Sequence, residues 1–156
     1  NFRIELPISF NGKGSKEEIP EQEAQPVRPP KRILVVDDEV HIRDILQEYL
    51  AEENFQVETA SDGFAALELL GRKTFDLIIT DIKMPRIDGR LLYEAIRRQS
   101  PELARRVIFA TGDTLSRETN RFIEKTGNPN LRKPIKLEKV LQAIDAVLEK
   151  EPNSRR

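Results

Sequence analysis

From residue 31 onward the chain alternates between two hydrophobic periods. "RILVV" (32–36) is an unbroken aliphatic run with β-branched residues, which predicts a strand. "EVHIRDILQEYLAEE" (39–53) places apolar residues at 42, 45, 46, 49 and 50, the stripe of an amphipathic helix. "FQVETA" (55–60) alternates as a strand, and "SDGFAALELLGRK" (61–73) predicts a helix opened by a Ser or Asp cap. The series continues with "FDLIITD" (75–81, strand), "GRLLYEAIRRQ" (89–99, helix) and "RRVIFAT" (105–111, strand). It closes with "SRETNRFIEKTG" (116–127, helix ending in glycine), "NLRK" (130–133, short strand) and "LEKVLQAIDAVLEK" (137–150, helix). Strand and helix alternate five times, and three strands are nearly continuous apolar runs. Strands buried on both faces read this way, so the pattern predicts an α/β domain with a parallel, doubly wound sheet.

The residues before this region follow a different pattern. Residues 11–30, "NGKGSKEEIPEQEAQPVRPP", hold four prolines, two glycines and few apolar side chains. Burial in such a stretch cannot offset the entropy of ordering, so it reads as a disordered linker. In "NFRIELPI", at the start of residues 1–10, Phe2, Ile4 and Leu6 alternate with polar residues. That is a one-faced strand with no neighbour to pair with, as though it ended another domain. Residues 31–150 are the folded unit, and 151–156 read as a short tail.

Composition narrows the chemistry. The 156 residues suit one domain of ordinary size. With 26 basic and 27 acidic side chains the net charge is −1, so no global field recruits nucleic acid or anionic lipid. Cysteine is absent, which removes thiolate chemistry and is compatible with a reducing compartment such as the cytoplasm. No apolar run approaches the roughly 18 residues of a membrane span, so direct membrane contact is not expected. A lone histidine, His41, leaves almost nothing to hold zinc, and any metal must be a hard one held by oxygens.

In an open parallel sheet, ligands bind beyond the carboxyl ends of the strands. Here the first strand ends in Asp37-Asp38, the third in Asp81, the fourth in Thr111 and the fifth in Lys133-Pro134. Three carboxylates within roughly 4–6 Å repel by a few kcal/mol per pair at an effective dielectric of about 20. Lys133 offsets one charge, and a divalent ion would bring the sum near zero. Oxygen ligands with room for water and phosphate favour Mg²⁺. Aspartate also accepts phosphoryl groups as an acyl phosphate, so Asp81 reads as a nucleophile more readily than as a turn residue.

"LVVDDE", "DIKMPRIDG", "FATGD" and "LRKP", in this order, resemble the receiver domain of two-component response regulators over residues 31–150. The resemblance implies a flavodoxin-like (βα)5 fold with strand order 2-1-3-4-5. It implies that Asp81 takes a phosphoryl group from phosphohistidine, that Asp38 ligates Mg²⁺ directly and Asp37 through water, and that the backbone carbonyl of Lys83 completes the metal's protein ligands. Lys133 would pair with phosphoryl oxygens, Thr111 would swing inward to hydrogen-bond them, and the Lys133–Pro134 peptide would be cis. Phosphorylation would shift the loops and the face of the fourth helix between two states. The family carries an aromatic three residues before the lysine; Asn130 stands there, which leaves phosphoryl transfer intact and puts the usual aromatic switch in doubt.

"NFRIELPI" in turn resembles the last strand of a histidine-kinase ATP-binding domain. Together these features imply the C-terminal receiver of a hybrid sensor kinase. Its partners would be a histidine kinase core, a histidine phosphotransfer protein, or both, and homodimerisation stays open. A stand-alone response regulator is the nearest alternative. A Mg²⁺-dependent aspartyl-phosphate phosphatase is more remote, because such enzymes want an acidic residue two positions after the nucleophile, where Lys83 stands. Each residue also has a plainer role open to it: Asp37-Asp38 as a helix cap, Asp81 as a turn-former, Thr111 as a strand residue, Lys133 as a solvated charge. Asp88 reads as the turn before a helix, His41 as a surface residue, and Ile42 as core or as an exposed contact for a docking helix bundle. Lys83 and Asp113 flank the expected pocket.

Overall fold

A computed structural model describes residues 29–112 and 116–149. The strands are β1 (Arg32–Val36), β2 (Gln56–Ala60), β3 (Leu77–Asp81), β4 (Val107–Thr111) and β5 (Asn130–Arg132). The helices are α1 (Val40–Glu52), α2 (Gly63–Leu70), α3 (Gly89–Gln99), α4 (Pro101–Ala104), α5 (Arg117–Thr126) and α6 (Leu137–Glu149). All pairings are parallel and the order is β2-β1-β3-β4-β5, the doubly wound arrangement expected from the sequence.

Strand alternation sorts the core into two layers. Leu34, Val36, Ile78, Val107 and Phe109 point to one face, where Ala66 of α2, Leu92 and Ile96 of α3, and Ile123 of α5 cover them. Ile33, Val35, Leu77, Ile79 and Ile108 point to the other, beneath Leu46 and Leu50 of α1 and Val140, Ile144 and Val147 of α6. On the first face Tyr93, Phe109 and Phe122 form a triangle with ring centroids 5.6 Å apart, two pairs meeting edge to face. The middle strands β3 and β4 are buried at every residue, which explains their unbroken apolar spelling.

Local chemistry sets the helix starts. Asp62 accepts from the Ala65 amide at 2.8 Å and caps α2, so Asp62 rather than Ser61 is the cap. Asp88 accepts from the Arg90 and Leu91 amides at 3.1 and 3.0 Å, giving it the structural role read from the Asp-Gly turn. The sequence reading left 100–104 without an element, and the helix α4 stands there. Its signal was present: Ser100 accepts from the Leu103 amide at 3.2 Å, Pro101 occupies the first turn, and Glu102 follows. The third and fourth strands begin two residues later than expected, at Leu77 and Val107. Just before them Arg106 donates through Nε to the Asp76 carbonyl at 2.6 Å, and the Asp76 carboxylate accepts from the Arg32 amide at 2.8 Å.

The stripe of α1 is narrower than its spelling. Leu46 and Leu50 are buried and Ile42 and Tyr49 are half-buried, whereas Ile45 is 50% exposed. His41 is exposed. No helix among the described residues is long and apolar enough to cross a membrane. The expected strand at 1–10, the linker through residue 28 and the tail at 151–156 lie outside the described residues.

Candidate functional site

The carboxyl ends of β1, β3, β4 and β5 share one rim because all four strands run the same way. Register fixes their depth: Val36 pairs with Thr80, Asp81 with Ala110, and Thr111 with Arg132. Asp37, Asp81, Thr111 and Lys133 therefore emerge at nearly one level. Carboxylate oxygens of Asp37, Asp38 and Asp81 lie within 4.8 Å of one another. Asp37 and Asp81 are 1% and 6% exposed, while Asp38 faces solvent.

Lys133 spans the cluster. Its Nζ lies 3.0 Å from Asp37 Oδ2, 3.2 Å from Asp81 Oδ2 and 3.4 Å from Glu39 Oε1. The Lys133 amide donates to the Thr111 carbonyl at 2.8 Å, and the Lys133–Pro134 peptide is cis. Asp37 is held by the Glu39 amide donating to its Oδ1 at 2.9 Å and by Arg43 Nη1 donating to its carbonyl at 2.7 Å. The N-cap of α1 is Glu39, so Asp37 is not the helix cap of its plainer reading; one of its oxygens braces the Glu39 amide and the other faces Lys133.

Electrostatics follow from this crowding. Burial first, and then the neighbouring Asp37, push the Asp81 carboxyl up to about 6 against the pull of Lys133. Burial likewise raises Asp37, opposed by the Glu39 amide and by Lys133. Burial pulls the Lys133 ammonium down, but bonds and charge from Asp37 and Asp81 outweigh it and hold the group above its ordinary range. Two desolvated acids and one cation leave a net negative pocket.

This donor set fits a hard divalent cation. It is all oxygen, it is under-neutralised, and its three carboxylates are close enough to share one ion. Lys83 lies two residues past Asp81, in the loop that follows β3. The Lys83 side chain is exposed, and Asp113 lies outside the described residues.

One glycine lets a surrounding loop press inward. A Cβ on Gly89 would collide with the Asp81 carbonyl and sit 2.8 Å from Ile82 Cα. The turn therefore closes directly over the backbone of Asp81, a requirement the Asp88-Gly89 spelling hinted at. Arg86, with φ of 65°, pairs its guanidinium with the Asp62 carboxylate and ties this loop to α2. Sequence reasoning missed that pair and the reach of Glu39 to Lys133, since both depend on loop paths that no periodicity encodes.

Thr111 is 1% exposed at the end of β4. Its hydroxyl donates to Asn130 Oδ1 at 2.9 Å, a partner that the sequence reading noted only as a departure from the aromatic.

An open 2-1-3-4-5 sheet with an acidic, lysine-bridged pocket at its carboxyl rim defines a doubly wound α/β domain with a charged site where such folds hold their ligands. Residues 33–145 match the model of the response regulator receiver domain, and the chain belongs to that family. It is 34% identical over 123 residues to the sensor histidine kinase RcsC of Escherichia coli K12, covering 79% of this chain and 13% of that protein. The RcsC of Salmonella typhi matches at 32% identity over the same length. The chain thus spans about an eighth of these curated relatives. Among solved structures, the signal receiver domain of an HD domain-containing protein from Pseudomonas fluorescens Pf-5 superposes with a TM-score of 0.70 at 31% identity, covering 79% of this chain and 97% of that one. A receiver domain protein from Clostridium thermocellum gives 0.70 at 28%, covering 78% and 96%.

Proposed function

We propose that this receiver domain accepts a phosphoryl group from phosphohistidine on Asp81, with Mg²⁺ bound beside it. The observation that carries the reading is the buried Asp81 carboxylate, 3.2 Å from the Lys133 ammonium and within 4.8 Å of two further carboxylates. Asp37, Asp38, Asp81 and the Lys83 carbonyl would hold the ion, which supplies neutralising charge for an incoming phosphoryl group. An Asp81 oxygen attacks phosphorus, the P–N bond to the donor imidazole breaks, and the neutral histidine departs with a proton from solvent. Lys133 accompanies the phosphoryl oxygens, and Thr111 donates a hydrogen bond to one of them. Most of the catalysis is positioning and charge neutralisation.

The setting we favour is the receiver of a hybrid sensor kinase in the cytoplasm, with residues 1–10 as the end of a kinase ATP-binding domain and 11–30 as its linker. Similarity to a segment of sensor histidine kinases supports this. Its partners would then be a histidine kinase core and a histidine phosphotransfer protein.

The test is incubation with acetyl phosphate, followed by intact mass. One phosphoryl group should add in Mg²⁺ and none in EDTA, and Asp81→Asn should stay unmodified. Equal modification of Asp81→Asn would move the acceptor elsewhere.

A further inference from the structure

The Thr111 hydroxyl is engaged within the protein itself. β4 lies between β3, which carries Asp81, and β5, which carries Asn130. A hydroxyl has one proton to donate. Here it goes toward β5, to Asn130 Oδ1 at 2.9 Å; the next acceptor, the Leu131 carbonyl, is 3.5 Å away and too far for a good bond. The side chain carrying this hydroxyl is buried, so water does not offer it an easy alternative. Asn130 is exposed, so its carbonyl regains water whenever Thr111 lets go.

We propose that Asn130 is a positioning residue: it holds the Thr111 hydroxyl on the β5 side, and an oxyanion on Asp81 engages Thr111 only by breaking the Thr111–Asn130 hydrogen bond. The inference rests on the reading of Asp81 as acceptor and Thr111 as donor to its phosphoryl group. Exchange is feasible because the bond being broken is neutral, whereas the bond to an anionic oxygen is charge-assisted and stronger. A side chain without an oxygen at position 130 would leave the hydroxyl without a good acceptor in the resting protein and favour its turn toward β3. In this chain an amide thereby biases the hydroxyl by accepting its hydrogen bond.

Beryllofluoride, titrated in saturating Mg²⁺, is the probe. Asn130→Ala and Asn130→Leu should each tighten its apparent Kd about two- to tenfold, the equivalent of one neutral hydrogen bond. In a Thr111→Val background the same changes at 130 should have no effect. Three-bond couplings of Thr111 in the free protein should report one χ1 rotamer, lost in both variants. Two variants guard against a folding defect in one, and position 130 is exposed on an edge strand. Failure of the unsubstituted protein to bind beryllofluoride would overturn the acceptor reading and this inference with it. Binding by the unsubstituted protein with unchanged or weaker affinity in both variants would overturn this inference alone, as would an effect that persists in Thr111→Val.

Discussion

Asp81→Asn should stabilise the metal-free protein at neutral pH while removing its phosphoryl acceptor. The Asp81 carboxyl titrates at about 6 in the fold against 3.8 in model compounds. A native value above the unfolded one means that protonation favours the fold. The contribution is fully present below 3.8 and is lost as the pH rises through 6. Ionising the group in place therefore costs the fold about 3 kcal/mol. Because Asp81 is only 6% exposed, solvent does little to screen that cost, and the value already includes the attraction of Lys133. Asparagine keeps the shape and discards the charge. Its advantage over the unsubstituted protein should therefore grow by about 2.5 kcal/mol between pH 4 and pH 7.5, or roughly 10 °C in melting temperature at the upper end. Asp37, relieved of a like charge, adds to the effect. Denaturant melts in EDTA across this range would measure it. Mg²⁺ at a hundred times its Kd should return about 2.7 kcal/mol to the unsubstituted protein and narrow the gap. A difference that is independent of pH, or a variant less stable at pH 7.5 in EDTA, would refute the electrostatic argument.

Gly89→Ala should lose about 1–3 kcal/mol in chemical denaturation, the usual range for overpacking, and should slow labelling by acetyl phosphate, because the new methyl displaces the Asp81 backbone. Lys133→Met should lose about 1.5–3 kcal/mol above pH 7, as Asp37 and Asp81 lose their shared cation, and less at pH values below about 6, where Asp81 is protonated. Binding of Mg²⁺ at pH 6 should release about half a proton from Asp81 and almost none at pH 8, seen by calorimetry in buffers of different ionisation enthalpy.

Hydrophobic spelling carries the sheet, because a strand buried on both faces has little choice but to be apolar, as Leu77–Ile79 and Val107–Phe109 are. The rim residues are legible for a related reason: a charged side chain placed directly after such a run, as Asp37 and Asp81 are, must emerge at the strand's carboxyl end. Short-range polar bonds are less readable. Nothing in "QSPELAR" announces a helix as plainly as an apolar stripe would, yet Ser100 and Pro101 suffice to start one turn. Contacts between residues distant in sequence are the least readable. The Arg86–Asp62 pair joins residues 24 apart, and the Thr111–Asn130 bond joins residues 19 apart. Each depends on where the fold brings distant residues together, not on any period in the chain.

Asp81 should be the residue that carries the phosphoryl group. Borohydride reduces an aspartyl phosphate to homoserine, so treating the acetyl phosphate-labelled protein and sequencing its peptides by mass spectrometry locates the acceptor. Homoserine at position 81, formed only in the presence of Mg²⁺, is the predicted result. Homoserine at another aspartate, or stable phosphate retained on a histidine, serine or threonine with position 81 untouched, would contradict it.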